Sequence, residues 1–176
     1  MSGQIGTTEG GPGDELVDVV DDDDRVIATV TRRQMRGERL LHRSVGIAVL
    51  GSDGRLLVHR RSDAKDLWGG RWDLAVGGVV GAGESYEGAA ARELCEEMGV
   101  SGVLARIGGG KFVDADVASF GQCYSVVHDG PFSFDDGEVV ETRWVDAAAL
   151  AELLATESFV PDSVAMILPL LHLHLR

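Results

Sequence analysis

Apolar and polar residues along the chain fall into short β-prone runs, then one helical stretch, then more runs and an apolar end. Leu16 to Val20 and Arg25 to Val30 flank Asp21-Asp22-Asp23-Asp24, which predicts a hairpin with an acidic turn. That turn lacks the alternating acids, the glycine and the distal glutamate of a calcium loop. Ser44 to Leu50, the turn Gly51-Ser52-Asp53-Gly54, and Arg55 to Arg61 predict a second hairpin. SDAKDLWGGRW then reads as a loop leading to a strand from Asp73 to Val76. Further strands are predicted near Val103–Ile107, Phe120–Val127 and Val139–Trp144, with a helix from Asp146 to Ala155. A last helical stretch begins near Asp162 and is interrupted by Pro169. Residues 1–14, rich in Gly, Ser and Thr, read as a disordered tail. A single domain is expected over 15–176, with the hairpin and a basic segment at 15–43, a core at 44–155 and a C-terminal helix at 156–176. Strands on both sides of one central helix, with helices at the end, predict an α/β protein. Its expected architecture is an α/β/α sandwich on a mixed sheet, with an N-terminal β-hairpin extension.

The central helix lies in GVVGAGESYEGAAARELCEEMGV, from Gly78 to Val100, with Ser85 as a plausible N-cap. Glu93, Glu96 and Glu97 stand at i, i+3 and i+4 and share one helical face. Gly99 marks the helix end, so these acids occupy the last two turns. There the helix dipole is already negative, and like charges at this spacing repel by roughly 0.2–0.5 kcal/mol per pair. Such a cluster calls for a positive partner, and three oxygen donors suit a hard cation, Mg²⁺ or Mn²⁺. A cation held there would acidify a bound water.

The formal net charge is −13, which argues against binding nucleic-acid polymers or anionic membranes. It leaves room for a small phosphorylated ligand held by a metal and a few local cations. Positive charge is concentrated in Arg32, Arg33, Arg36, Arg39 and Arg43, either a solvated short helix balancing the acidic hairpin or a patch facing phosphate or a second subunit. Cys95 and Cys123 form no CxxC and no metal-ligand spacing, and Cys95 is expected to be a small packing residue. The first residues carry no signal-peptide pattern, and no apolar run approaches the ~20 residues of a membrane span. A cytoplasmic protein is expected.

The stretch Gly78, Glu84, Arg92-Glu93, Leu94, Glu96-Glu97, Gly99 and Val100 resembles the box of the Nudix superfamily at every fixed position. The resemblance implies the same sandwich fold and Mg²⁺- or Mn²⁺-dependent hydrolysis of a small-molecule diphosphate by metal-activated water. Carried over residue by residue, it makes Glu93 and Glu97 the first metal ligands and Glu96 the third. Arg92 would orient them, Glu84 would be structural or a secondary ligand, and the Gly77 carbonyl a further donor. The general base comes from the box or from a loop outside it, where DDGEVVETRW makes Glu138 the candidate. A homodimer is common in that family.

The flanks HRSVGIAVL, LLVHRRSDAKDLWGGRWDLAVGG and FVPDSVAMI resemble the branch that includes isopentenyl-diphosphate isomerase. That likeness implies diphosphate binding by Arg61 and Lys65. Trp68 and Trp72 would line the pocket mouth or form a buried anchor. The isomerase's catalytic Cys and metal-binding His correspond to Gly77 and Val79, so its proton-transfer groups are missing. Hydrolysis is the leading expectation; isomerisation and a non-catalytic nucleotide-sensing module are the alternatives.

Overall fold

The computed structural model describes residues 11–134 and 137–171. Most of the expected disordered tail lies outside the described residues; Pro12–Asp14 form a 3-10 turn. The first hairpin pairs β1 (Leu16–Val20) with β2 (Val26–Thr31) around the acidic turn. The basic segment continues as α1 (Arg32–Glu38), capped by the Thr31 hydroxyl, which accepts from the Gln34 amide.

β3 (His42–Leu50) is the hub of the sheet. One edge pairs in parallel with β8 (Ala118–Val127) along its whole length. The other edge meets three antiparallel partners in turn: β1 at His42, β6 (Val76–Val79) over Ser44–Ile47, and β4 (Leu56–Arg61) at Val49 and Leu50. β4 also pairs with β5 (Trp72–Asp73) and β9 (Val139–Val145), and β7 (Ala105–Val113) closes the far side on β8. The sheet is therefore mixed.

Alternation along the strands sends successive side chains to opposite faces. Val45, Ile47, Val49 and Leu57 pack with Ala89, Ala90, Leu94 and Met98 of α2 (Tyr86–Met98). Ala48, Leu50, Leu56 and Val58 face the other way, onto Leu150 and Leu153 of α3 (Ala147–Thr156) and onto Ile167 and Leu171. The two clusters are the two halves of the sandwich. α4 (Pro161–Met166) ends before Ile167, and α5 (Leu168–Leu171) restarts with Pro169 in its first turn, where its missing N–H costs nothing.

Two boundaries and one packing expectation differ from the sequence reading. The strand expected at Asp73–Val76 is two short strands, because Leu74 and Ala75 carry the chain from β4's edge to β3's. The strand expected from Val103 starts at Ala105 and runs to Val113, and Val103 is 92% exposed. Cys95 is exposed on α2 rather than packed, whereas Cys123 is buried. Among the described residues no helix is long and apolar enough to cross a membrane.

Candidate active site

The box helix is fixed at both ends by local chemistry. Ser85 accepts the Gly88 amide at 3.1 Å, and Gly99 closes the helix in a left-handed conformation, φ 67°, donating to the Cys95 carbonyl. Ala89 and Ala90, both fully buried, let the helix approach the sheet closely. Leu94 and Met98 fill the core, which draws Glu97, three residues after Leu94 on the same side of the helix, to 7% exposure.

Arg92 ties the acids together. Its Nε and one terminal nitrogen donate to the two carboxylate oxygens of Glu84, both at 3.0 Å, and the other terminal nitrogen reaches Glu93 at 2.7 Å and Glu96 at 3.0 Å. This is a bidentate clamp plus a bridge. Hydrogen bonding to Arg92 holds the Glu84 carboxyl below its ordinary pKa. Glu93 goes the other way, raised by burial against the opposing pull of Arg92. Burial pushes Glu97 up to about 8; Lys65 opposes the shift, and Glu93, Glu138 and Asp73 add to it.

Every residue singled out for the site lines one groove: Glu93, Glu96, Glu97, Arg92, Glu138, Arg61, Lys65 and Gly77. Glu138 forms an ion pair with Lys65. Arg61 lies 3.6 Å from the buried Asp73 and donates to the Leu67 carbonyl at 3.3 Å. Gly77 and Gly78 run between the acids and β3. A β-carbon on Gly78 would stand 2.4 Å from Glu93 Oε1, and one on Gly77 would stand 2.0 Å from the Val45 carbonyl oxygen.

The basic segment divides. Arg32 and Arg36 line the same groove. Arg33 pairs with Asp14, Arg43 with Asp24, and Arg39 donates to the Asp114 carbonyl. Arg36 is held below the usual arginine range by burial and by the neighbouring Arg32 and Arg61. Of the tryptophans flanking Gly69-Gly70, Trp72 is a buried anchor at 2% exposure, and Trp68 lines a cavity opening beside the groove.

The donor set suits a hard divalent cation. Glu97 is a buried carboxyl with no side-chain hydrogen bond or ion pair among the described residues, beside Glu93. Among the described residues no three acids, histidines or cysteines converge as a preformed cage. Magnesium does not require one, since it keeps waters and takes one or two carboxylates plus substrate phosphates.

A profile of the NUDIX domain matches residues 40–165. The Nudix hydrolase YfcD of Escherichia coli K12 is 38% identical over 151 residues, covering 85% of this chain and 83% of its own. A Nudix hydrolase of Streptomyces coelicolor is 37% identical over 155 residues, covering 86% of each chain. Among solved structures, DR0079 from Deinococcus radiodurans superposes with a TM-score of 0.73 at 28% identity, covering 92% of this chain and all of that one. The MutT protein of Methanosarcina mazei follows at 0.60 and 26%, covering 70% and 88%. With its box, its sandwich and these relatives in agreement, the chain belongs to the Nudix hydrolases, enzymes that act on pyrophosphate bonds.

Proposed function

We propose that the protein is a Mg²⁺- or Mn²⁺-dependent hydrolase that cleaves the diphosphate of a small phosphorylated metabolite or nucleotide. The observation that carries this reading is the composition of the groove: Glu93, Glu96, Glu97 and Glu138 share it with Arg32, Arg36, Arg61 and Lys65. An acidic protein, net charge −13, here gathers five cations, Arg92 included, beside its metal-type carboxylates. That pairing suits a ligand which is itself anionic and arrives with a metal.

Glu93 and Glu97 would hold the cation, with Glu96 and the Gly77 carbonyl as further donors. When bound, the cation neutralises charge on the diphosphate and acidifies the attacking water. Arg92 keeps Glu93 and Glu96 in place through its clamp on Glu84. Arg61 and Lys65 bind the diphosphate, joined by Arg32 and Arg36 from α1. Lys65 has a second task. It also pairs with Glu138, the candidate general base, so an incoming phosphate competes with that carboxylate for the lysine.

The isomerase alternative has a geometric obstacle besides its missing thiol. Gly77 pairs with Gly46, and any β-carbon there would overlap the Val45 carbonyl, so a cysteine cannot be seated without moving β3. The test is release of phosphate-containing products from a diphosphate library with Mg²⁺ and with Mn²⁺. Turnover by the wild type and its loss in Glu97→Gln supports the reading; activity that survives the substitution overturns the metal assignment.

A further inference from the structure

Across the Gly77-Gly78 strand from the carboxylates lies a second cavity, of about 120 Å³. That is room for several waters or one small organic group. It shares Arg36, Arg61, Gly77 and Gly78 with the groove, so the two spaces adjoin. Its wall is unusual for this protein. Two buried side-chain polar atoms lack a hydrogen-bond partner among the described residues, Arg61 Nε and Ser119 Oγ, and both residues line this cavity. Ser119 is only 1% exposed. Buried hydroxyls and guanidinium nitrogens are ordinarily paired, and an orphaned one calls for an occupant. Asp73 and Asp162 bring carboxylates to the same wall, while Val76 and Ile167 supply apolar surface.

Carboxylates accept from hydroxyls, Arg61 Nε donates to an oxygen, and the Ser119 hydroxyl does either. This mixture fits a group that carries several hydroxyls on a carbon frame. An isoprenoid tail would leave Arg61 Nε and the Ser119 hydroxyl unpaired. A nucleobase calls for stacking surfaces, and Trp68 is the one large aromatic ring on the wall among the described residues.

We propose that this cavity receives the sugar of a sugar-linked diphosphate, making the substrate class a diphosphate ester of a small polyhydroxylated group. The inference rests on the hydrolase reading for the diphosphate and on the cavity for the sugar.

The test separates the two. Calorimetry with the full chain and Mg²⁺ compares ribose 5-phosphate with isopentyl phosphate, which present the same anion on a polar and an apolar group. Ribose 5-phosphate is expected to bind about tenfold tighter, and Ser119→Ala to weaken it by about three- to tenfold while leaving isopentyl phosphate unchanged. The same variant should keep its melting temperature, since it removes only an unpaired hydroxyl. With ADP-ribose it should raise KM and hold kcat. Equal or tighter binding of isopentyl phosphate, or equal loss of both ligands in Ser119→Ala, overturns the sugar assignment and leaves a hydrated cavity, even if diphosphates are cleaved. Ser119-dependent sugar-phosphate binding without turnover of any diphosphate overturns the hydrolase reading instead.

Discussion

The Cα of Gly78 and the carboxylate of Glu93 face each other so closely that a β-carbon on the glycine would lie 2.4 Å from Oε1 and 2.6 Å from Cδ. The obstacle is the far end of a side chain, which can swing aside. Gly78→Ala should therefore fold but displace Glu93 from the groove. Activity is expected to fall by about a hundredfold, with a melting temperature within a few degrees of wild type. A substitution that left kcat intact would show that the position of Glu93 is not critical.

The neighbouring glycine should behave in the opposite way. At Gly77 the clash is with backbone, the Val45 carbonyl at 2.0 Å, inside the β3–β6 ladder. Gly77→Ala is expected to cost on the order of 3 kcal/mol or more, or to prevent folding, because strand separation is the only relief. Denaturant unfolding of the two alanine variants side by side checks the contrast.

Arg92 makes a two-point contact with Glu84 and bridges Glu93 to Glu96. A lysine restores the charge but not the fork. Arg92→Lys should thus resemble Arg92→Ala in kinetics, each losing roughly 10–100-fold in activity. The metal concentration needed for half-maximal rate should rise in both. Full activity in the lysine variant would mean that charge alone suffices.

His42 predicts the acid limb of stability. The ring is 3% exposed, and burial depresses its pKa from 6.5 to about 4, partly offset by hydrogen bonding to the Leu40 carbonyl. The unfolded chain binds a proton near 6.5 that the folded chain refuses until about 4. Stability from this group is complete above about 6.5 and is lost as pH falls through that window, by on the order of 3 kcal/mol. His42→Gln should flatten the fall in melting temperature between pH 6.5 and 4. An unchanged slope would assign the acid sensitivity to other groups.

Asp18 joins the hairpin to the box. It accepts from the Thr29 hydroxyl and from the Gly83 amide, each at 2.8 Å, just ahead of the box helix. Asp18→Ala leaves that amide without its acceptor and should cost about 1–3 kcal/mol. Because Gly83 adjoins Glu84, the partner of Arg92, activity should fall more than stability. Comparing kcat with the unfolding midpoint decides this.

The box was legible because its constraints are local. Ser85, Gly99 and the spacing of three glutamates specify a capped helix with its acids on one face whatever surrounds it. Likewise the unbroken apolar run Val45–Leu50 is what a strand covered on both faces requires. What stayed open depended on contacts far apart in sequence. Nothing in TRRQMRGER distinguishes Arg36, which reaches Arg61's groove, from Arg33, which turns to Asp14. The break at Leu74 and Ala75 follows from which edges of β3 and β4 were free. Ser119 carried no signal at all; its hydroxyl becomes informative only when its cavity closes around it.

The family profile begins at residue 40, whereas Arg32 and Arg36 precede it on α1. Residues ahead of the profile thus supply one rim of the groove. A chain reduced to the shared domain would retain every box glutamate, together with Arg61, Lys65 and Arg92, yet forfeit two of the groove's five cations. Charge placed ahead of the shared profile thus widens what the groove can hold without altering a single box residue.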